Sequence, residues 1–397
     1  MADQNLSERT SAKTSTFTSL TDTPSSYAGK AGETLKVNVA EDAVDYQIIS
    51  SFSSGGTPPT IPVVNEFESG ATLPSGNFKF TGGVLMPNGK VFCASGNYEG
   101  TKFIYNPETD SWEDGATVPT GTNKFNGAVL MPNGKVFCSS LTYSGTKYIY
   151  NPLNDSWEDG ATNPAGDNTF AGAVLMANGK VFCVPYNYAG TSYIYNPETN
   201  AFETGATLPS GNFKFYGGVA LPNGKVFCVP FQYQGTQYIY NPVNNSWENG
   251  GTLPSGSVNF FGGVLLPNGK VFCVPYNYEG TTYLYNPETN AWEDGGTPPS
   301  GSGKFQSAVL MSNGKVLCAP YNYEGTTYLY NPDTNAFEDG GTAPSGSSKF
   351  RGGVLMPSGK VFCTPYGYSG TDYIFDPGEN DSTEFGTWMN EPYWNKF

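Results

Sequence analysis

The chain has 397 residues and a formal net charge of −15, with 14% charged and 15% aromatic residues. That balance excludes nucleic acid and anionic membrane surfaces as partners, because both need basic patches, and no run of about 18 apolar residues is present to span a membrane. His is absent altogether, which removes the Ser-His-Asp triad, His general bases and the commonest transition-metal ligand.

Residues 1–62 are rich in Ser and Thr and carry few large apolar groups. The opening MADQNLSERTSAKTS lacks the apolar core of a secretory signal. Within the region, Leu35–Asn38 and Ala43–Ile48 are expected to pair as a small hairpin across Val39–Asp42. The stretch Leu20-Thr21-Asp22-Thr23-Pro24-Ser25-Ser26-Tyr27-Ala28-Gly29-Lys30-Ala31-Gly32, followed by Leu35-Lys36-Val37-Asn38, resembles a segment near the N-termini of bacteriophage fibre and other virion appendage proteins. The resemblance covers only about 30 residues. It implies a virion protein made in the host cytoplasm, attached to other virion proteins through residues 1–62 and assembled as a homotrimer. So polar a region buries too little apolar surface to order alone.

From there on the chain repeats. Cys93, Cys138, Cys183, Cys228, Cys273, Cys318 and Cys363 follow one another at a step of 45 residues, and a fixed period of about 20–50 residues marks a repeat architecture. In one copy the apolar run ending at Leu265-Leu266 meets Pro267-Asn268-Gly269 and then Lys270-Val271-Phe272-Cys273-Val274. Asn-Gly between two apolar runs is a strong hairpin signal, since both residues accept the positive φ of a tight turn. Thr282–Tyr285 reads as a third strand, Asn286–Asn290 as a second turn whose Pro presets φ, and Ala291–Asp294 as a fourth strand. Four short antiparallel strands per copy, seven times, predict an all-β fold, a seven-bladed β-propeller over 63–377.

These blades resemble the kelch type, in the variant whose first hairpin reads L-P-N-G-K-V, on the strength of the NGK hairpin, the Tyr-x-Tyr-Asn-Pro strand and the Trp-Glu strand. They depart from it where the kelch glycine pair is replaced by Val184-Pro185, Val229-Pro230, Val274-Pro275, Ala319-Pro320 and Thr364-Pro365. The lack of His rules out the copper site of this blade's galactose-oxidase relatives. The chain enters the repeats with a lone fourth strand, Val63–Ser69, and leaves them after a third strand at Tyr373–Phe375. Phe67 is therefore expected to supply the outer strand of the last blade, which removes free edges. Beyond it, the tail 378–397 carries Phe385, Trp388, Tyr393, Trp394 and Phe397, to fold back on the last blade or dock on a partner.

Each Cys lies in an alternating strand and is expected to be a small buried hydrophobe, reduced in the cytoplasm, neither bridged nor metal-bound. No P-loop, zinc-type Cys pair or EF-hand loop is present, so no cofactor, metal or catalytic residue is assigned. The paired carboxylates Glu113/Asp114, Glu158/Asp159, Glu293/Asp294 and Glu338/Asp339 recur once per blade and read as scaffold rather than as an active site. Lys90 and its six counterparts after each hairpin turn read as solubilising groups, or as a ring for an acidic partner.

Function is expected where the copies disagree. The residue before each first strand reads Thr81, Asn126, Ala171, Tyr216, Phe261, Gln306 and Arg351. In the kelch arrangement the first strand is innermost, so the resemblance places these side chains around one mouth of the channel. Neighbouring loops contribute Phe78, Asn123, Asn168, Phe213, Val258, Gly303 and Ser348, and the loops between second and third strands contribute Gly96, Leu141, Tyr186, Phe231, Tyr276, Tyr321 and Tyr366. Rings, amides and one Arg suit sugars, whose apolar faces stack on aromatics. Tyr98, Tyr143, Tyr188, Tyr233, Tyr278, Tyr323 and Tyr368 recur in every copy and read as packing groups. The candidate ligand-binding set is Thr81, Asn126, Tyr216, Phe261, Gln306, Arg351, Phe78, Phe213, Tyr186, Tyr276, Tyr321 and Tyr366. The leading expectation is a non-enzymatic virion structural protein (fibre, spike or decoration) that displays a propeller to host-surface glycan. The competing classes are a cytoplasmic kelch-like interaction module and a glycan-active enzyme.

Overall fold

The computed structural model describes residues 35–40, 43–48 and 65–378, apart from loop segments at 76–79, 122–123, 141–144, 165–169, 187–189, 210–214, 234, 255–257, 277–280, 301–302 and 323. The chain divides into two units, residues 1–62 and 63–397. In the first, Leu35–Ala40 and Ala43–Ile48 pair antiparallel from Leu35↔Ile48 to Ala40↔Ala43, so the connection is shorter than expected. The appendage-like segment 20–32 and the aromatic tail lie outside the described residues.

The second unit is all-β: seven four-stranded antiparallel blades in a ring, a seven-bladed β-propeller. Consecutive first strands neighbour one another around the ring, from Phe80–Leu85 and Phe125–Leu130 onward, and Phe350–Leu355 returns to Phe80–Leu85. They are the innermost strands. At Gly352 an added Cβ would lie 2.9 Å from the Cα of Gly82, so this part of the inner ring has no room for a side chain.

Closure follows the expected route, with shifted bounds. The outer strand of the seventh blade is Glu66–Thr72, which pairs antiparallel with Thr371–Asp376. Side chains confirm the equivalence. In four blades the first-strand Phe stacks on the fourth-strand Trp, as in Phe80–Trp112 at 5.3 Å and Phe125–Trp157 at 5.7 Å. In the seventh, Phe350 stacks on Phe67 at 5.9 Å.

Neighbouring blades are joined by rings as well. The second-strand Phe of one blade stacks on the third-strand Tyr of the next, as in Phe92–Tyr150 (5.1 Å), Phe182–Tyr240 (4.5 Å) and Phe272–Tyr330 (4.5 Å). Phe362–Tyr105, at 4.3 Å, carries the pattern across the closure. Offset stacking of this kind adds about 0.5–1.5 kcal/mol per pair beyond area burial. The seven Cys side chains are all fully buried in this core, and burial pushes their thiols up.

The second turn of each of the first six blades is a staple. Its last residue, Asp110, Asp155, Asn200, Asn245, Asn290 or Asn335, has φ between 46° and 55°, a region Asn and Asp tolerate best. Its side chain accepts the hydroxyl of the Tyr five residues earlier, as in Tyr285–Asn290 at 2.6 Å. It also reaches the preceding blade: Asp155 accepts from Ala116 N, and Asn335 donates to Asp294 O.

Candidate binding site at the propeller mouth

The variable positions do not precede the first strands; they lie inside them, one residue after a fully buried Phe. At this point every blade shows a shift of pairing register, as between Phe80 and Gly82, Phe260 and Gly263, and Phe350 and Gly352. The extra residue of a β-bulge is left out of the ladder and its side chain is re-aimed. The following residue is Gly in six copies and Ser307 in the sixth blade; Gly127, Gly172, Gly217 and Gly262 have a φ between 84° and 144°, which residues with side chains rarely adopt.

The side chains converge across the axis. Tyr216 of the fourth blade donates its hydroxyl to Asn126 Oδ1 of the second blade at 3.0 Å, and accepts from Arg351 Nη2 of the seventh at 2.9 Å. Arg351 Nε donates to Gln306 Oε1 at 2.8 Å. Four of the predicted residues, from four blades, thus form one hydrogen-bonded chain. Thr81 is turned to the scaffold: its hydroxyl bonds Phe125 O at 2.8 Å and ties the first blade to the second. Ala171 is buried.

Rings form an arc around the same point. Tyr186 lies 5.9 Å from Tyr216, Tyr216 4.4 Å from Phe261, and Phe261 4.3 Å from Tyr276. Tyr276, Tyr321 and Tyr366 continue it at 6.2 Å steps, and the Arg351 guanidinium sits 4.5 Å above the Tyr366 ring. Of the first two blades, Thr81, Gly96 and Asn126 are the mouth positions among the described residues.

Some expectations are corrected. Phe231 is not in a loop: the strand Val226–Tyr233 runs on and pairs with Val258–Leu265 of the next blade, through Phe231↔Asn259 and Tyr233↔Val258. There Phe231 packs 4.8 Å from Phe261. Phe78, Asn123, Asn168, Phe213 and Leu141 lie outside the described residues, as do Tyr143, Tyr188, Tyr278, Tyr323 and the side chains of Val258 and Tyr233. Tyr98 packs against Phe80 at 5.3 Å and accepts from Lys102 N.

The lysine ring is neither free nor merely solubilising. Lys90 Nζ reaches Glu113 at 2.5 Å, and Lys135–Glu158, Lys180–Glu203, Lys225–Glu248, Lys270–Glu293 and Lys315–Glu338 repeat the pair at 2.6–2.7 Å. Lys360 completes the ring with Glu68 of the closing strand and with Asp376. The lysine hydrogen bond holds each of these Glu carboxyls, Glu113 through Glu338, below its ordinary value. The Glu member of each repeated carboxylate pair is thus held by a lysine of its own blade.

The sequence reading missed a second set of lysines. Lys124, Lys304 and Lys349, each next to a first-strand Phe, are fully buried, and Lys124 Nζ bonds Tyr98 O at 2.9 Å. Burial pushes Lys124 and Lys349 down. The available signal was the recurrence of Lys before Phe at 79, 124, 214, 304 and 349.

No protein-family model matches the chain, and no curated protein is found similar to it. Solved structures are similar in fold. The extracellular domain of a one-component system of B. thetaiotaomicron matches 78% of this chain at 15% identity and a TM-score of 0.59. The chain spans 40% of that domain's length. A streptogramin B lyase matches 78% of this chain and 98% of its own at 12% identity and a TM-score of 0.64. A catalytically inactive His-to-Ala variant of virginiamycin B lyase from Staphylococcus aureus, with quinupristin, matches 60% of this chain and 76% of its own at 12% identity and a TM-score of 0.50. At such identity what is shared is the β-propeller fold.

Proposed function

We propose that this is a carbohydrate-binding propeller displayed on a bacteriophage virion, with residues 1–62 as the attachment and oligomerisation region and the mouth turned to host-surface glycan. The observation that carries the binding half is the arc of rings from Tyr186 to Tyr366 beside the Asn126–Tyr216–Arg351–Gln306 chain. Rings with fixed polar groups at their edge match the alternation of apolar faces and equatorial hydroxyls on a sugar, and aromatic and Arg side chains are the usual binding anchors. The virion half rests on the resemblance of residues 20–38 to appendage proteins.

Binding is favoured over catalysis because the repeated Glu carboxylates are engaged by lysines, once per blade. The lyase activity of the structural neighbours is not carried over: a His-to-Ala change gives the inactive variant of one, and this chain has no His.

The test uses the full chain. It should bind a subset of a glycan array, and the double variant Phe261→Ala/Tyr321→Ala should lose about 1–3 kcal/mol of that binding, or roughly 5–150-fold, while its melting temperature holds. A parent protein that binds no glycan removes the carbohydrate reading. Mass spectrometry of purified particles tests the other half, and finding the chain only in the lysate removes it.

A further inference from the structure

We infer that the ligand of this mouth carries a carboxylate, as in a uronic or other acidic sugar, and that Arg351 is its anchor; the inference rests on the carbohydrate reading above. Arg351 is a partly buried cation whose protein partners are neutral. Its Nε–H goes to Gln306 Oε1 and one Nη2–H to the Tyr216 hydroxyl, and among the described residues it forms no ion pair. In a chain of net charge −15 that is an unusual position for a guanidinium. A guanidinium has five N–H donors, so the Nη1 pair and one on Nη2 remain. These suffice for the two parallel bonds of a carboxylate fork, the strongest match for this group.

A second observation has the same sign. Asn126 Nδ2 is a buried amide donor with no hydrogen-bond partner among the described residues, and its carbonyl end is tied to Arg351 through Tyr216. The unspent groups on the Asn126 and Arg351 sides of this chain are donors, so the ligand must bring acceptors. The Tyr366 ring covers one face of the guanidinium at 4.5 Å, and shielding a charge from water strengthens its attraction to an anion. The adjacent rings at 4–6 Å spacing favour a sugar over an acidic peptide as carrier.

The experiment is calorimetry on the full chain with three probes of one backbone: a glucuronate-containing oligosaccharide, its carboxyl-reduced counterpart, and a sulfated neutral form. A Glu-rich peptide is the fourth. The carboxylated sugar should bind at least about 10-fold more tightly than the reduced one. That ratio should fall towards 1 in Arg351→Gln and to an intermediate value in Arg351→Lys, which keeps the charge and loses the fork. Melting temperatures establish that each variant folds, and the parent's own ratio decides the matter if one does not. Equal binding of carboxylated and reduced sugars overturns the inference while leaving the carbohydrate reading in place. Preference for the sulfated probe replaces carboxylate by a tetrahedral anion and overturns it too. Binding of the peptide alone removes both readings.

Discussion

Replacing Asp372 by Asn should stabilise the propeller, and the gain should grow with pH. Asp372 lies in the third strand of the closing blade, fully buried, where the other copies carry Lys102, Lys147, Ser192, Gln237, Thr282 and Thr327. Its Oδ2 accepts Trp112 Nε1 of the first blade at 2.7 Å, while Oδ1 has no hydrogen-bond partner among the described residues. A Cβ on Gly70 would overlap that oxygen, so the closing strand can pass only as glycine. Burial, with the Asp110 carboxylate nearby, outweighs the Trp112 bond and pushes Asp372 up from 3.8 to about 7. The folded chain therefore holds a proton that the unfolded chain releases near pH 4, and stability falls as pH rises from there through about 7. At about 1.36 kcal/mol per unit, the ionised group costs at most about 2 kcal/mol at pH 5 and about 4 kcal/mol at pH 8. Asn keeps the acceptor for Trp112 and removes the charge. At roughly 2 °C per kcal/mol for a unit of this size, the variant should melt about 4 °C above the parent at pH 5 and about 8 °C above it at pH 8. The lysine-bound Glu groups do not blur this window, since depressed carboxyls lose their stabilising effect only below their unfolded values, and they are common to both proteins. Thermal melts of parent and variant at the two pH values decide it. An offset that is equal at both, or a variant less stable at pH 8, would refute the reasoning.

Deleting residues 1–72 should open the seventh blade by removing the partner of Thr371–Asp376, the ring of Phe67 and the Glu68 pair to Lys360. A loss of several kcal/mol or aggregation through the free edge is expected, and a truncated monomer with an unchanged melt would remove the closure account. The seven buried thiols should react with a thiol reagent only at the rate of unfolding, and reductant or chelator should leave the melt within about 5 °C. A fast-reacting thiol in the native protein contradicts that.

By itself the sequence determined the architecture. A 45-residue step carrying the Cys strand, the Asn-Gly hairpin and the Tyr-x-Tyr strand specifies seven equivalent blades, because each signal acts within a few residues and the copies repeat it in register. The unmatched Phe67 pointed to the closing strand for the same reason: a missing member of a repeat is visible as a gap. The seven variable positions were legible too, as differences between copies. What they do with one another was not. That Tyr216 joins Asn126 to Arg351, over separations of 90 and 135 residues, follows from the ring bringing four inner strands to one axis, and from bulges that no spacing rule announces. The lysines became ion pairs, and Asp372 a buried acid, only once strands 23 or 260 residues distant lay beside them. A charge on a strand reads the same in sequence whether it faces water or a carboxylate, and only packing distinguishes the two.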